Sequence, residues 1–398
     1  MSKEPTIEKA RKGSLLSRPT SAYFMILSAT IFLTGLGLVM VLSASSVKSF
    51  EQSGNTYSIF IKQLLFLAIA IVLAVVGTRM SSEIWLKLAR VAIIASVGIL
   101  ILPQIPGLGK NVNGNTNWIG FGPFTIQPSE FAKFGLILFC ALQLRRYEER
   151  LGTERPLSAL KLLLPAIFVL LVLIMAGGDL GASLIVVAIS AAMLFISGLP
   201  VRHFMVVISA GVAFAAVFVI TQPYRLHRFA AVLHPFSAQN YKFAGWQTAH
   251  SVMGLASGGL FGVGLGASRQ KWANLSEANT DFIFSVIGEE MGLLGTLVVL
   301  FLYAILIYGI FKTALQTKDI FSRYATAGIA CWLMIQVAVN LGSDIGLFPV
   351  VGVTLPFISY GGSSLIANYL GIAFVLNVAR KDPEVNRFLR ARRSARIK

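Results

Sequence analysis

Residues 288–311 read GEEMGLLGTLVVLFLYAILIYGIF. Two carboxylates, Glu289 and Glu290, open the run, and no charged residue follows until Lys312. At a rise of roughly 1.5 Å per residue, a helix over this stretch reaches about 36 Å, enough to cross a hydrocarbon layer ~30 Å thick. The core helix of a soluble domain needs no uncharged run of that length. The segment is expected to span a membrane, with its two acids near one edge.

Similar runs recur on both sides of it. Apolar segments bounded by charge, Gly and Pro fall at 22–46, 59–78, 84–103, 129–144, 161–176, 182–199, 203–221, 288–311, 323–342 and 364–379. The fold class expected is all-α, a polytopic integral membrane protein of about ten transmembrane helices. Composition agrees: 56% of the 398 residues are hydrophobic and 13% charged, where soluble domains carry about 25% charge. Mean hydropathy is +0.75. The chain divides into an N-terminal tail (1–21), a membrane domain (22–379) and a basic C-terminal tail (380–398). The first run ends in Leu42-Ser43-Ala44-Ser45-Ser46, small residues of the signal-peptidase kind, but it is long for a signal segment and reads as an uncleaved span.

Orientation follows from Lys and Arg, which are retained on the cytoplasmic side of short loops. With the N-terminus inside, about 25 of the 34 Lys and Arg residues lie in or beside cytoplasmic segments. Both termini are then cytoplasmic, and residues 222–287 form a large extracytoplasmic loop between helices 7 and 8. The net charge of +17 is thus explained by topology; no soluble basic groove points to nucleic acid. The C-terminal tail, with Arg390, Arg392, Arg393, Arg396 and Lys398, reads chiefly as a topology anchor with a disordered end, and otherwise as a contact for anionic lipid or a cytoplasmic partner. Cys140 and Cys331 lie inside apolar runs and offer neither a disulfide framework nor metal spacing.

Chemistry is expected at the outer face, where ionisable residues near the bilayer are costly and therefore informative. Gln127-Pro128-Ser129-Glu130 enters the fourth span, with Lys133 one turn beyond Glu130; the pair either holds the helix entrance or lines a cavity. Asp179 follows Gly177-Gly178 in a tight turn, as a turn former or as part of a site. Asp281 separates a polar loop containing Arg269 and Lys271 from the helix carrying Glu289. If that helix starts near Asp281, Glu289 lies about 12 Å further along its axis, so the two acids require a polar cavity or partners. Capping is the plainer role for Asp281, with Asn279 and Thr280 as competitors. The Gly-rich run Gly254 to Gly266 lacks a βαβ context for nucleotide binding and reads as a re-entrant or interfacial segment, whose amides are available to phosphate. Leu355 to Ser364, including Ser363, is a turn and cap or a further cavity wall. Tyr224, Arg225, Arg228, Lys242 and Trp246 add positive and aromatic character to the long loop.

Together these strings, Gln127 to Glu130, Asp179-Leu180-Gly181, Thr280 to Phe284 with Gly288-Glu289-Glu290, and Leu355 to Ser364, resemble the SEDS family (shape, elongation, division and sporulation) over nearly the whole chain. Gly266 to Trp272 is similar to its division branch rather than its elongation branch. The resemblance implies a glycosyltransferase that polymerises lipid II, an undecaprenyl-pyrophosphate-linked precursor, into β-1,4 peptidoglycan strands. It also implies a class B penicillin-binding protein as transpeptidase partner, other divisome proteins, and placement at the division septum. Asn117, Gly178 and Asn279 depart from the Arg, Pro and His common in the family, which puts those local contacts in doubt.

On that reading Asp281 is the general base. Glu130, Lys133 and Asp179 shape the cavity, Arg269 and Lys271 stand near the pyrophosphate, and Glu289 and Ser363 contribute to substrate binding. No cofactor is assigned; a divalent cation, Mg or Mn, held by Asp281 is an open alternative, without ligand spacing to prove it. The rival functions are a lipid II flippase and a scaffold that only recruits division partners.

Overall fold

The structure, a computed structural model, describes residues 19–112, 115–122, 124–151, 156–198, 200–220, 231–272 and 274–397. Each expected span coincides with a helix: α1 (Pro19–Ser53), α2 (Ser58–Gly77), α3 (Ser82–Ile101), α4 (Pro128–Leu151), α5 (Pro156–Ala176), α6 (Leu180–Ile196) and α7 (Val201–Ile220) in the first half of the chain. A shorter α8 (Trp246–Ser257) precedes α9 (Ile283–Gln316), α10 (Ile320–Asp344) and α11 (Gly362–Ala379). Among the described residues, six helices are long and apolar enough to cross a membrane: α1, α2, α3, α9, α10 and α11. The chain is a multi-pass membrane protein. α10 and α11 are 72% and 83% buried over their apolar stretches, against 28% for α2 and α3. The first pair is therefore the centre of the bundle. On α2 the exposed face carries Leu65, Ile69 and Val72, a surface for lipid rather than for water.

Several helices run past the ends read from hydropathy. α1 continues to Ser53, because Ser43, Ser49 and Ser53 find hydrogen-bond partners and so cost little where an apolar window stops. Local chemistry sets other starts. Ser81 caps α3 through Ile84 N, Asp179 caps α6 through Ala182 N, and Asp319 caps α10 through Ser322 N.

Two segments depart from the expectations. The otherwise all-α chain carries one small sheet, in which β1 (Gly109–Val112), β2 (Asn115–Phe121) and β3 (Phe124–Ile126) pair antiparallel in the order β1-β2-β3. Its register pairs Lys110 with Trp118 and Gly120 with Thr125. Strands of three to seven residues rich in Asn and Gly carry too little alternation to be read from sequence. The C-terminal segment is also ordered, as α12 (Pro383–Ile397). Val385 on that helix is buried, and Phe388 packs edge-on against Phe24 of α1 at 5.4 Å. A cluster of Arg obscured this apolar side.

The Gly-rich run lies against a break in α9. Gly292 sits there at φ 67°, ψ −165°, outside helical geometry. The passing strand of chain takes up the freed backbone groups: Leu293 N donates to Gly259 O and Val263 N to Glu289 O, each at 2.9 Å. This is how irregular backbone is tolerated at membrane depth. A Cβ on Gly258 or Gly262 would collide with the carbonyl of Gly288 or Glu290. The close approach expected of these glycines is present, but the amides of Val263 and Gly264 are spent on α9 rather than left open to phosphate.

Candidate functional site

A polar cavity of about 240 Å³ opens where the β-sheet, the start of α6 and the approaches to α9 and α11 converge. Asn117, Gln127, Asp179, Glu277, Asp281, Tyr360 and Ser363 line it. Asp281, Asp179 and Ser363 are thus brought together as expected from sequence.

Asp281 stands two residues before α9, whose N-cap position is Phe282 with no side-chain cap. The Asp281 backbone is pinned from α10, where Asn340 Nδ2 donates to Asp281 O and to Val353 O at 2.7 Å each. The adjoining residues are fixed as well: Ser359 Oγ donates to Thr280 O at 2.5 Å, and Tyr360 N donates to Asn279 O at 2.9 Å. Asn279, one of the departures from the family pattern, therefore acts here through its backbone. Opposite the carboxylate lies Gly352 at φ 70°, where an added Cβ would stand 3.6 Å from Asp281 Oδ2. The half-buried carboxylate is held on a rigid wall.

Asp179 combines the two roles weighed for it. Oδ1 accepts the Ala182 amide at 2.9 Å and caps α6. Oδ2 accepts from Gln127 Nε2 at 2.8 Å, Asn117 Nδ2 at 2.9 Å and Ser129 Oγ at 3.3 Å. Both oxygens are occupied, so Asp179 organises the donors of the wall rather than taking a proton. The turn before it needs Gly178, at φ 81° with Asn115 close by. Ser363 Oγ accepts the Gln127 amide at 2.8 Å, tying the entry of α4 to the first turn of α11. Burial pushes the Tyr360 phenol above its usual range, which keeps it a neutral hydroxyl. Glu277, held at φ 62°, pairs with Lys48 of α1 at 3.2 Å and brings a cation to the rim.

Glu130 and Lys133 lie behind this wall and do not line it. Lys133 is 1% and Glu130 6% exposed; Nζ meets Glu130 Oε1 at 2.8 Å and Gln336 Oε1 at 3.1 Å, and faces the Trp332 ring at 5.7 Å. The pair braces α4 against α10.

Glu289, Lys271 and Arg269 belong to a different cluster, around the start of α9 and the Gly-rich run. Ser268 Oγ donates to Glu289 at 2.5 Å and Arg269 N at 3.0 Å. Lys271 is buried, with Nζ 3.4 Å from Glu290 and 3.3 Å from Ser43 Oγ. Ser43 in turn donates to Glu290 at 2.7 Å. These contacts pin the loop to α1 and α9, and the side chain of Arg269 is the exposed member. Lys242 is exposed, and Trp246 stacks on His250 at 3.9 Å. Tyr224, Arg225 and Arg228 lie outside the described residues.

Asn340, Glu277 and Asp344 are additions that sequence reasoning did not single out as site residues. Asn340 sits inside an apolar run, where a lone amide is the available signal. Asp344 ends α10 fully buried, close to Asp281 and Ser285. No group of three or more His, Cys, Asp or Glu able to hold a metal ion occurs among the described residues. With Asp179 saturated, the cavity does not fit a divalent ion held by several carboxylates.

Beside this polar cavity runs an apolar groove of about 1010 Å³ between α6, α7 and α10, lined by Leu180, Val187, Phe195, Phe204, Phe348 and Val351 among others. Val351 lines both spaces. A half-buried carboxylate with amide and hydroxyl groups therefore adjoins a slot suited to a hydrocarbon chain.

A sequence model of the cell cycle proteins FtsW, RodA and SpoVE matches residues 23–384. The "Probable peptidoglycan glycosyltransferase FtsW" of Legionella pneumophila is 36% identical over 381 residues, covering 94% of each chain. Among solved structures, RodA of Thermus thermophilus, a rod shape determining protein, is 30% identical with a TM-score of 0.66, over 90% of this chain and 97% of that one. A chain from a peptidoglycan synthase complex, described as coordinating polymerization and crosslinking, is 29% identical with a TM-score of 0.72, over 90% and 98%.

Proposed function

The chain belongs to the FtsW, RodA and SpoVE family of cell cycle proteins, and on that footing we propose that it is a peptidoglycan glycosyltransferase joining lipid II units into β-1,4 glycan strands during septal wall synthesis. The observation that carries the reading is the junction at Val351 of the acidic cavity and the apolar groove. A lipid-linked sugar needs both at once: an apolar path for its isoprenoid chain and a polar chamber for the reacting sugar.

In the reaction, the acceptor sugar hydroxyl attacks the anomeric carbon of the donor from the face opposite its pyrophosphate. The new carbon–oxygen bond forms as the bond to phosphate breaks, and the electron pair leaves with the lipid pyrophosphate. Asp281 takes the hydroxyl proton as general base. Configuration inverts, so an α-linked donor gives a β-linked strand. Asp179, through Asn117 and Gln127, orders the cavity wall, and Ser363 holds its entrance. Lys48, half-exposed and paired with Glu277, and Arg269, exposed on the neighbouring loop cluster, are the cations proposed to meet phosphate, whereas Lys271 is buried against Glu290.

The same reading places ten helices across the membrane, both termini in the cytoplasm and the cavity at the outer face. The partner proposed is a class B penicillin-binding protein, which crosslinks the strands. Polymerase and flippase separate in detergent solution, where there is no bilayer to cross. Purified protein, with and without its transpeptidase partner, is incubated with labelled lipid II and the products are resolved by size. Polymeric glycan is expected; its absence under both conditions, with transbilayer movement of lipid II in vesicles, would establish transport instead.

A further inference from the structure

At the opposite end of the bundle the chain builds a second kind of polar site. The turn joining α2 to α3, the end of α11 and the entry to α12 border an open pocket of about 370 Å³, lined by Arg79, Arg380, Lys381, Asn377, Asn386 and Thr78 among others. Three cations line it and no carboxylate does. None of the three takes part in an ion pair among the described residues. The neighbouring acid Asp382 accepts the Glu384 amide at 2.8 Å, capping α12.

The cavity is braced from beneath. Asn377 Nδ2 donates to Met80 O at 2.7 Å and Thr78 O at 3.1 Å, and Arg380 donates one guanidinium N–H to Thr78 O at 3.1 Å. Lys381 Nζ donates to Ser82 Oγ at 2.7 Å. The turn carbonyls are thereby consumed, and the groups left over are donors and positive charge. Asp319 acts on Lys381 from the far side, so Arg79 and Arg380 are the cations of the pocket with no acid beside them among its lining residues.

Depth identifies the anion. Gly77 ends α2, Ser82 begins α3 and Ala379 ends α11, so the cations stand where membrane-spanning helices emerge, at the level of lipid headgroups. A second cavity of about 580 Å³ shares Lys381 and is mixed: Trp85, Leu86, Phe374 and Val378 offer an acyl chain apolar contact, while Asp319 and Asp382 stand there with Arg145 and Lys318. Basic pockets between spanning helices on the cytoplasmic side are suited to anionic headgroups. We infer that Arg79, Arg380 and Lys381 bind the headgroup phosphate of an anionic phospholipid at the cytoplasmic face. Only the assignment of the leaflet rests on the orientation proposed above.

The test titrates purified protein in neutral detergent with phosphatidylglycerol, phosphatidylcholine or glycerol 3-phosphate, reading bound lipid by native mass spectrometry. Polymerisation is not involved, so this inference and the proposed activity fail separately. Phosphatidylglycerol is expected to bind more tightly than phosphatidylcholine, and Arg79→Gln/Lys381→Gln to weaken it about thirty-fold. Arg79→Gln alone, at an exposed side chain, is expected to weaken it about five-fold and serves if the double variant does not fold. Lys161→Gln/Arg202→Gln removes equal charge from other exposed sites expected on the same face and should change little. Equal weakening by both pairs, equal binding of phosphatidylcholine, or full competition by glycerol 3-phosphate would each overturn the site.

Discussion

Replacing Lys133 by Met should be among the most damaging single changes near the cavity, though Lys133 does not line it. The ammonium is 1% exposed and 2.8 Å from Glu130 Oε1. At an effective dielectric of about 20, unit charges at that separation attract by about 6 kcal/mol, which the cost of burying both largely offsets. Removing one partner leaves the desolvation of the other uncompensated, a loss of about 3–5 kcal/mol. Glu130 Oε2 already lacks a hydrogen-bond partner, so Lys133→Met strands the whole side-chain carboxylate. Glu130→Gln/Lys133→Met removes both charges and is expected to recover about 2–4 kcal/mol of that loss. The assay is reversible unfolding in mixed micelles titrated with dodecyl sulfate, followed by circular dichroism, for wild type, both single variants and the double. If the two single effects add to within about 0.5 kcal/mol, the buried pair is not the unit described here.

Three further outcomes follow from the same structure. Gly292→Ala places a Cβ against Gly262 N and 2.6 Å from Leu260 O at a left-handed φ; a loss of about 3 kcal/mol or more is expected, and unchanged monodisperse yield on size exclusion would contradict the packed break in α9. Asp179→Ala forfeits a helix cap of about 1 kcal/mol and the acceptor of Asn117 and Gln127, so polymerisation should fall more than stability does; parallel losses would reduce Asp179 to a cap. Lys271→Met is expected to lower stability by about 3–5 kcal/mol while leaving the KM for lipid II of the folded fraction unchanged; a raised KM with full stability would return Lys271 to the pyrophosphate.

The helices were legible because bilayer thickness imposes a length on them, and the runs at 59–78 and 84–103 needed little correction. Polar residues that bond within the bundle, such as Ser49 through Oγ and Asn340 through Nδ2, left no mark on a hydropathy profile, so helix ends and the anchor of Asp281 were missed. In the cavity, Asp281, Asp179 and Ser363 shared a signal, acids and hydroxyls at the mouths of spans, and the fold joins them. Lys271 and Glu289 carried the same signal for another reason: a charge buried at a loop anchor looks, in sequence, like a charge in a site. Sorting the two takes the partner on the other element, here Ser43 and Ser268. The small sheet was beyond reach because its strands are short and its pairing non-local.

The central claim is that the Asp281 carboxylate takes the acceptor proton. Asp281→Asn keeps the volume and removes the base. Folded protein carrying this change should retain lipid II binding and wild-type stability, and make glycan from lipid II at a rate lower by about 10²–10⁴-fold. Polymerisation by folded Asp281→Asn protein at the wild-type rate would contradict the account.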